Sequence, residues 1–394
     1  MSDFNIVFAS DINYLPYTLV AAQSVVDSLR EASPAQSSYN CSEKDHLVFH
    51  ILIDDSVNKD DFAQKTSCFI KRNEKAPAAI SFNIVDIDKS LFVGYRPWGP
   101  HATFSTYYRL LIDKLLPESV KTVLYLDVDI LVRDDVRELF VNTDISSKTL
   151  AAVNEIPFYL RGTDWSLSGR SSEYPVIKFR HQDYFNAGVL LINVDALRNM
   201  GLADKVKGFF DKYDAEVVDQ DALNHLIARE SIVYLDPSWN VQAAVYEKIA
   251  GAARSAFDNR SSASLFDAYG SMGSWRGSEY LLKPKIIHMT QIKPWRTSSA
   301  FSKSGDPLVI SLDHINYLEE WRQKSLSVTE YSEELCSIKP AFMEIVSANF
   351  DNLTDRFNKE QLKRRKSRKA LIAITSVAFT ISVLLSLLSI MLQL

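Results

Sequence analysis

The segment VLYLDVDILV, residues 123–132, has eight apolar or aromatic side chains among its ten residues. A run this hydrophobic predicts a strand that is buried on both faces, as in the parallel sheet of an α/β protein. Two acids, Asp127 and Asp129, interrupt the run, and side chains two apart on a strand point the same way. Like charges beside a core are costly unless a bound group compensates them. Paired oxygen ligands of this kind suit a divalent cation such as Mg²⁺ or Mn²⁺.

Other β-branched runs recur along the first 300 residues, with helical patterns between them. The seven further strands that they predict are residues 4–10, 47–54, 80–87, 150–156, 185–194, 231–236 and 285–290. Residues 18–32 have apolar side chains at helical spacing, between the first two strands. This alternation predicts a mainly parallel α/β sheet, in which ligands bind beyond the carboxyl ends of the strands. Residues 161–175 and about 250–278 are predicted to be long loops.

Composition and charge exclude several classes of protein. The three cysteines lie far apart and form no CxxC pair, which argues against a disulfide framework or a zinc cluster and favours a reducing compartment. Residues 359–369 hold seven bases and one acid, so the rest of the chain is more acidic than the net charge of −5. A body this acidic is a poor nucleic-acid binder. The first residues, MSDFNIVFASD, do not have the pattern of a secretory signal.

The C-terminal segment differs in kind from the body. Residues 370–394 contain no charged side chain, and residues 363–369, KRRKSRK, contain six bases. Length and flanking charge predict a transmembrane helix with the large domain on the cytoplasmic side, where the bases would meet anionic lipid. We therefore expect a single-pass C-terminal anchor at the cytoplasmic face of the inner (plasma) membrane. A hydrophobic helix buried in a domain or an oligomer is the alternative.

The division of the chain follows from these patterns. The predicted units are an α/β domain at residues 1–300, a helical extension at 301–358, a basic juxtamembrane segment at 359–369 and a transmembrane helix at 370–394.

Two further stretches contain candidate binding residues. In IIHMTQIKPW, residues 286–295, His288 ends an apolar strand, and its imidazole added to two carboxylates favours Mn²⁺ over Mg²⁺. Lys293 could hold a diphosphate as a point charge, although a lone histidine is more often a core residue. In YFNAGVLLINV, Gly188 permits close approach of a ligand and Asn186 can bind hydroxyl groups. The same residues could form a tight turn.

Two helical patterns add charged candidates. STYYRLLIDKLLP, residues 105–117, predicts an amphipathic helix on which Arg109 could face a phosphate or make a salt bridge. VVDQDALNHL, residues 217–226, places Asp219 and Gln220 at the start of a helix. Acids at that position could simply favour the helix N-terminus.

Taken together, these motifs closely resemble the family 8 glycosyltransferases, which include bacterial lipopolysaccharide galactosyl- and glucosyltransferases and glycogenin. The matching pieces, in the order of the family, are FASDINY (8–14), STYYRL (105–110), YLDVDILV (125–132), FNAGVLLINV (185–194), DQDALN (219–224) and HMTQIKPW (288–295). Each piece is weakly specific alone, whereas the ordered set is highly specific.

The resemblance implies a GT-A fold, a donor such as UDP-galactose or UDP-glucose, and a Mn²⁺ ion (or Mg²⁺) on its diphosphate. The residues that it assigns are Asp127, Asp129 and His288 to the metal, Asp11 and Asn13 to uridine, Arg109 to the donor sugar and phosphate, Asn186 and Gly188 to the sugar pocket, Asp219 and Gln220 to the reacting carbon, and Lys293 to the diphosphate.

Two departures from the family pattern stand out. The loop HMTQIK from His288 to Lys293 is one residue shorter than usual and lacks the usual glycine, so its backbone contacts to a diphosphate are an open question. Many members have an aspartate near the sugar where this chain reads VNE. Asn154 or Glu155 could take that place, and we favour Glu155.

The function implied is a retaining α-glycosyltransferase that moves galactose or glucose from a UDP-sugar to a glycan or glycolipid, such as lipopolysaccharide. Gln220 is a poor nucleophile, which favours same-face attack over a covalent intermediate. The alternatives are a non-catalytic sugar-nucleotide or glycan-binding protein of the same fold, a haloacid-dehalogenase-type phosphatase, and a membrane scaffold. The predicted tether favours a lipid-linked acceptor.

Overall fold

The computed structural model describes residues 3–31, 45–92, 95, 104–246, 281, 283–290, 292–296, 312–339, 358–359 and 361–363. Residues 1–297 and 309–341 form one compact unit, and residues 298–308 and 342–394 form a second. The predicted loop at 250–278 lies outside the described residues. The predicted domain bounds stay predictions.

Twelve strands are present in the described part of the chain. They are β1 (Asp3–Ala9), β2 (His46–Asp54), β3 (Ala79–Ile87), β4 (Thr122–Leu126), β5 (Ile130–Val132), β6 (Leu150–Asn154), β7 (Trp165–Leu167), β8 (Ile177–Phe179), β9 (Phe185–Asn193), β10 (Ile232–Tyr234), β11 (Val241–Gln242) and β12 (Ile286–His288). Each predicted strand is found near its predicted position. β7 and β8 form a hairpin, so the prediction of an irregular loop at residues 161–175 is wrong over β7.

The principal sheet has seven strands in the order β10-β6-β9-β4-β1-β2-β3. Its neighbours run parallel except at β9, which is antiparallel to both β4 and β6. This confirms the predicted α/β class with a mixed, mainly parallel sheet. Because β9 runs in reverse, its first residues lie at the edge where the parallel strands end.

The predicted strand over residues 122–132 divides at its two acids. β4 belongs to the principal sheet, whereas β5 pairs with β12 in a three-stranded sheet that also contains β11. The N–H of Asp127 donates to the carbonyl of Gly188 (2.8 Å), and the carbonyl of Asp129 accepts from Met289 (2.8 Å). Asp127 and Asp129 therefore lie in a bend between two sheets, and the prediction of one continuous strand is wrong.

Ten α-helices accompany the strands in the described residues. They are α1 (Leu15–Asp27), α2 (Lys59–Arg72), α3 (Ile112–Leu115), α4 (Arg137–Asn142), α5 (Ile156–Arg161), α6 (Val194–Met200), α7 (Leu202–Lys212), α8 (Val218–Leu226), α9 (Leu312–Ser325) and α10 (Ser332–Cys336). Short 3₁₀ helices cover Lys89–Phe92, Phe104–Leu111, Arg229–Ser231, Pro237–Asn240 and Thr329–Tyr331.

Two helix predictions need correction. The helix predicted over residues 18–32 begins at Leu15 and ends at Asp27, and Pro16 in its first turn suits a helix start because proline there loses no hydrogen bond. The helix predicted at residues 105–117 is mostly a 3₁₀ helix followed by the short α3.

An aromatic stack joins α9 to the body of the first compact unit. Trp321 of α9 is fully buried, with ring centroids 5.3 Å from Trp295 and 6.0 Å from Tyr17 of α1. Tyr17 and Trp295 stack face to face at 3.9 Å. The helical pattern after residue 310 thus packs on the helix that follows β1.

The transmembrane prediction is corrected. Residues 370–394 lie outside the described part of the chain, and no helix within that part is long and apolar enough to cross a membrane. The longest, α2 and α9, have 14 residues each, and a bilayer requires about 20. We withdraw the single-pass anchor, the membrane-lipid contact and the localisation at the cytoplasmic face of the inner membrane.

A buried histidine on β2 is hydrogen-bonded to side chains of both neighbouring strands, β1 and β3. His50 on β2 is 3% exposed and bonds through Nε2 to Asn5 Oδ1 (2.9 Å). Its Nδ1 lies 3.0 Å from Asn83 Nδ2, which can only donate. Burial lowers the pKa of His50 from 6.5 to about 4. The neutral imidazole is therefore the form that fits between Asn5 and Asn83.

We expect this histidine to make the fold sensitive to acid. Above pH 6.5 the ring is neutral whether the chain is folded or unfolded, and as the pH falls toward 4 only the unfolded chain gains the proton. Between pH 7.5 and 5 this linkage removes about 2 kcal/mol of the free energy of unfolding. Urea unfolding at both pH values should show a loss smaller by about that amount in His50→Gln, and equal losses would contradict the assignment.

Candidate active site

A cavity of about 330 Å³ opens where β4 and β6 end and β9 begins. Ten of the twelve predicted site residues line it, namely Arg109, Asp127, Asp129, Glu155, Asn186, Gly188, Asp219, Gln220, His288 and Lys293. The other two, Asp11 and Asn13, do not line this cavity. Asp11 is buried after β1 and accepts the N–H of Asn13 (2.8 Å), whose side chain is exposed.

Three side chains converge as a candidate metal site. One ligand atom each of Asp127, Asp129 and His288 lie within 4.8 Å of one another. His288 Nε2 is 3.6 Å from Asp127 Oδ2 and 3.3 Å from Asp129 Oδ1. On the far side of the ring, Nδ1 lies 3.1 Å from Asn240 Oδ1. Since an amide oxygen only accepts, Nδ1 carries a proton, and Nε2 is the ring nitrogen that faces the two carboxylates.

The backbone at Gly188 allows this convergence. A Cβ at that position would lie 2.2 Å from His288 Cε1 and 2.8 Å from Asp127 Oδ2. Glycine is thus required because two ligands press against the start of β9. Two carboxylate oxygens and one imidazole nitrogen suit a divalent ion such as Mn²⁺, so the residues present fit a metal.

One carboxylate oxygen of Asp127 and one of Asp129 are bound by positively charged side chains of the chain itself. Arg109 Nη2 lies 2.6 Å from Asp127 Oδ1, which also accepts from the Tyr125 hydroxyl (2.9 Å). Lys293 Nζ contacts Asp129 Oδ2. Burial alone would raise the pKa of Asp129, but Lys293 and His288 outweigh it and hold that pKa below its usual value. The carboxylate therefore stays ionised.

Arg109 is anchored on its other side by Asp219. Its Nε lies 3.0 Å from Asp219 Oδ2, and the other oxygen accepts from the Thr106 hydroxyl (2.7 Å). Burial raises the pKa of Asp219, against the opposing effect of Arg109. The guanidinium also lies 4.4 Å from the ring centre of Tyr125. Arg109 therefore makes a salt bridge, one of the two roles that its sequence position allowed, and makes it with both Asp127 and Asp219.

An amide network orders the opposite wall. Gln220 Oε1 accepts the N–H of Ala187 (2.9 Å), and its Nε2 donates to Glu155 Oε2 (3.1 Å). The same carboxylate oxygen accepts from Asn186 Nδ2 (2.8 Å), and Asn186 Oδ1 accepts from Asn240 Nδ2 (2.8 Å). The network joins the candidate metal histidine, through Asn240, to Glu155.

Backbone strain marks the start of α8. Val218 has φ 22°, a value that β-branched residues rarely adopt. Asp221 stabilises the turn, because its Oδ2 accepts the N–H groups of Glu216 and Val217 (2.9 Å each). Strain of this kind persists where the surroundings impose it, and here it positions Asp219 and the residue after it.

Several residues of the site escape sequence reasoning. Asn240 stands in PSWN, where no periodicity distinguishes it. Thr106 shares the STYYRL motif with Arg109, yet a threonine has many ordinary uses. The apolar wall of the cavity consists of Pro157, Phe158, Val217, Val218 and Ala244. Only the motif resemblance around Thr106 offered a signal.

The mixed α/β sheet and the two acids with a histidine at its carboxyl edge define a GT-A-like glycosyltransferase fold. The chain belongs to glycosyl transferase family 8, whose family model matches residues 5–299. This confirms the resemblance drawn from the motifs and disfavours the phosphatase alternative.

Curated proteins resemble the chain over part of their length. The chain is 30% identical over 154 residues to General stress protein A of Bacillus subtilis, covering 38% of this chain and 49% of that protein. It is 26% identical over 250 residues to the Lipopolysaccharide 1,3-galactosyltransferase of Salmonella typhimurium, covering 61% and 64%. The chain spans less than two thirds of the length of the curated relatives it matches, from 28% to 64%.

Solved structures show the same fold. The crystal structure of the galactosyltransferase LgtC with donor and acceptor sugar analogs aligns at a TM-score of 0.50 and 22% identity, covering 83% of this chain and 96% of that chain. The WbbM bifunctional glycosyltransferase aligns at a TM-score of 0.55 and 18% identity, covering 86% and 52%. At these identities the likeness concerns the fold alone.

We expect Gly188→Ala to weaken metal binding. The added methyl group must displace the His288 ring or the Asp127 carboxylate, and a displaced ligand costs affinity of the order of tenfold or more. Titration calorimetry with Mn²⁺ measures the effect. Gly208→Ala on α7 is the matched control, because its Cβ meets nothing within 4 Å. It should keep the metal affinity and gain about 0.5–1 kcal/mol of helix stability. Equal Mn²⁺ affinities in the two variants would show that a glycine at position 188 is not needed for the metal ligands to converge.

Proposed function

We propose that the protein is a retaining α-glycosyltransferase that transfers galactose or glucose from a UDP-sugar to a saccharide or glycolipid acceptor. The observation that carries the proposal is the convergence of three candidate metal ligands, two cations and an ordered carboxylate–amide network on one cavity. Family membership supports the reaction class. A binding protein without catalysis would share the metal ligands, and turnover separates the two.

The cations of the site suit a diphosphate donor. Asp127, Asp129 and His288 would hold a divalent ion, preferably Mn²⁺, which when bound would stabilise the negative charge of the departing nucleotide diphosphate. Lys293 adds a positive charge beside Asp129, and Arg109 adds one beside Asp127. Both are held by acids of the chain, so their positions are set before any donor binds.

The opposite wall would face the sugar. Asn186 and Gly188 line the cavity, and Asn186 donates to Glu155; we propose that this stretch lines the sugar pocket. The two side-chain hydrogen bonds of Glu155 within the described residues both use Oε2, so Oε1 can serve a ligand. We propose that this carboxylate stabilises the positive charge that develops at the anomeric carbon.

Gln220 suits an orienting role better than a nucleophilic one. Its carbonyl oxygen accepts a backbone N–H, and its amide nitrogen donates to Glu155. Asp219 is similarly occupied by Arg109 and Thr106. These contacts favour same-face attack, in which the leaving phosphate accepts the proton of the acceptor hydroxyl. Asp11 and Asn13 would contact the uridine from the end of β1.

The acceptor is proposed from the relatives. One curated relative is a lipopolysaccharide galactosyltransferase, and the apolar wall with Phe158 offers a surface on which a sugar ring can pack. A saccharide or glycolipid of the cell surface, such as a lipopolysaccharide core, is the class that we propose.

The first test is a donor screen with Mn²⁺. UDP-galactose, UDP-glucose and UDP-N-acetylglucosamine are incubated with the protein, and released UDP is measured with and without saccharide acceptors. We expect turnover with one of the two hexoses and its loss in Asp129→Ala, which should remain folded by circular dichroism. Full turnover in Asp129→Ala would reject the metal assignment. Binding of UDP with no turnover on any donor would favour the binding protein.

The second test concerns Glu155. Glu155→Gln removes the negative charge and places an amide against the donors of Asn186 and Gln220. We expect kcat to fall about 100-fold or more, as for other electrostatic groups at reacting centres, while UDP affinity by calorimetry stays within about threefold. A kcat near that of the parent protein would show that the carboxylate is not needed.

A further inference from the structure

The loop between His288 and Lys293 contains a hydroxyl group with an unusual environment. The Oγ1 atom of Thr290 is buried and has no hydrogen-bond partner among the residues that the structure describes. Thr290 also lines the cavity that holds the candidate metal ligands. Buried hydroxyl groups in folded proteins are nearly always bonded, so one that is not calls for an explanation.

The backbone of Thr290 is fixed on both sides. Its N–H donates to the carbonyl of His288 (2.9 Å), and its own carbonyl accepts from Lys293 Nζ (3.2 Å). The preceding residue, Met289, donates its N–H to the carbonyl of Asp129 (2.8 Å). The hydroxyl is therefore held at a defined place beside the candidate metal site, on a loop tied to its ligands.

Lys293 cannot easily supply further hydrogen bonds at this place. Its ammonium group has three N–H donors. They are directed at Asp129 Oδ2, at the carbonyl of Met289 (2.9 Å) and at the carbonyl of Thr290 (3.2 Å). The lysine contributes charge, but a hydrogen bond to a ligand between the loop and the metal ligands has to come from another donor.

The geometry points to the Thr290 hydroxyl as that donor: we propose that it binds an oxygen of the donor diphosphate. The inference rests on the proposed function, because a diphosphate is present only if the protein uses a nucleotide sugar. Thr290 lines the same cavity as the candidate metal ligands, and its carbonyl accepts from Lys293, so its hydroxyl lies next to the positive charge that a diphosphate would meet.

Chemistry distinguishes this role from packing. Valine has the shape of threonine without the hydroxyl, and it would remove a buried group that has no partner within the described part of the chain. If Thr290 served only to fill space, valine at this position would leave the free protein equally stable or more stable. A hydroxyl kept for a ligand leaves the free protein no more stable and strengthens the complex, since hydrogen bonds to charged groups are among the stronger ones.

The experiment measures UDP, UMP and uridine binding by titration calorimetry at saturating Mn²⁺. We expect Thr290→Val to weaken UDP binding about 10- to 100-fold and to change uridine binding less than twofold. Thr290→Ser, which keeps the hydroxyl, should bind UDP within threefold of the parent protein. The urea midpoint of Thr290→Val should be unchanged or higher.

Thr66→Val on α2 is the matched control. The Thr66 side chain is buried, and its hydroxyl donates to the carbonyl of Ala63 (3.0 Å). This variant should lose stability and keep its UDP affinity, the reverse of Thr290→Val.

Four results would overturn the proposal. They are parental UDP affinity in Thr290→Val, an equal loss for uridine, a lowered urea midpoint or failure to fold, and an effect confined to the KM of the saccharide acceptor. If the parent protein itself binds no UDP with Mn²⁺, the proposed function fails first and the inference fails with it. That result is visible before any variant is compared.

Discussion

The negative charge at the junction of two sheets is the constraint on which the site depends. Asp127 and Asp129 stand where the principal sheet passes into the smaller one, and each shares an oxygen with a cation from elsewhere in the chain. Arg109 comes from the preceding 3₁₀ helix and Lys293 from the loop after β12. These two ion pairs join the principal sheet, the smaller sheet and the loop. The oxygens that remain face His288.

A second, neutral network complements the charges. Gln220, Asn186 and Asn240 each use their amide groups as both donor and acceptor, and the chain of bonds runs from His288 to Glu155. Groups fixed in this way do not need to reorganise when charge develops in a reaction, which is the main source of electrostatic catalysis. Ion pairs thus order one wall of the cavity and amides order the other.

Prediction from sequence succeeded where the signal was local. Continuous β-branched runs located the strands. Ten of the twelve residues that the ordered motifs singled out line one cavity, and their roles stay predictions. Prediction failed where the decisive contact is distant. The bend at Asp127 depends on the carbonyl of Gly188, and Asn240 is placed by its partners. The transmembrane helix was predicted from hydropathy, length and flanking charge, and no helix of the described residues could span a membrane. The β11 strand, with two residues, is too short for any pattern.

The aromatic stack of Tyr17, Trp295 and Trp321 has a consequence for how the enzyme-like core can be divided. Trp295 follows Lys293 by two residues, and one of its faces rests against α1 while Trp321 of α9 lies beside it. A fragment ending near residue 300 would keep every candidate ligand and lose Trp321, exposing two large rings to water next to the loop that carries the lysine. The extension therefore braces the loop that carries Lys293, and α9, which lies beyond the residues that match the family model, packs as part of the first compact unit.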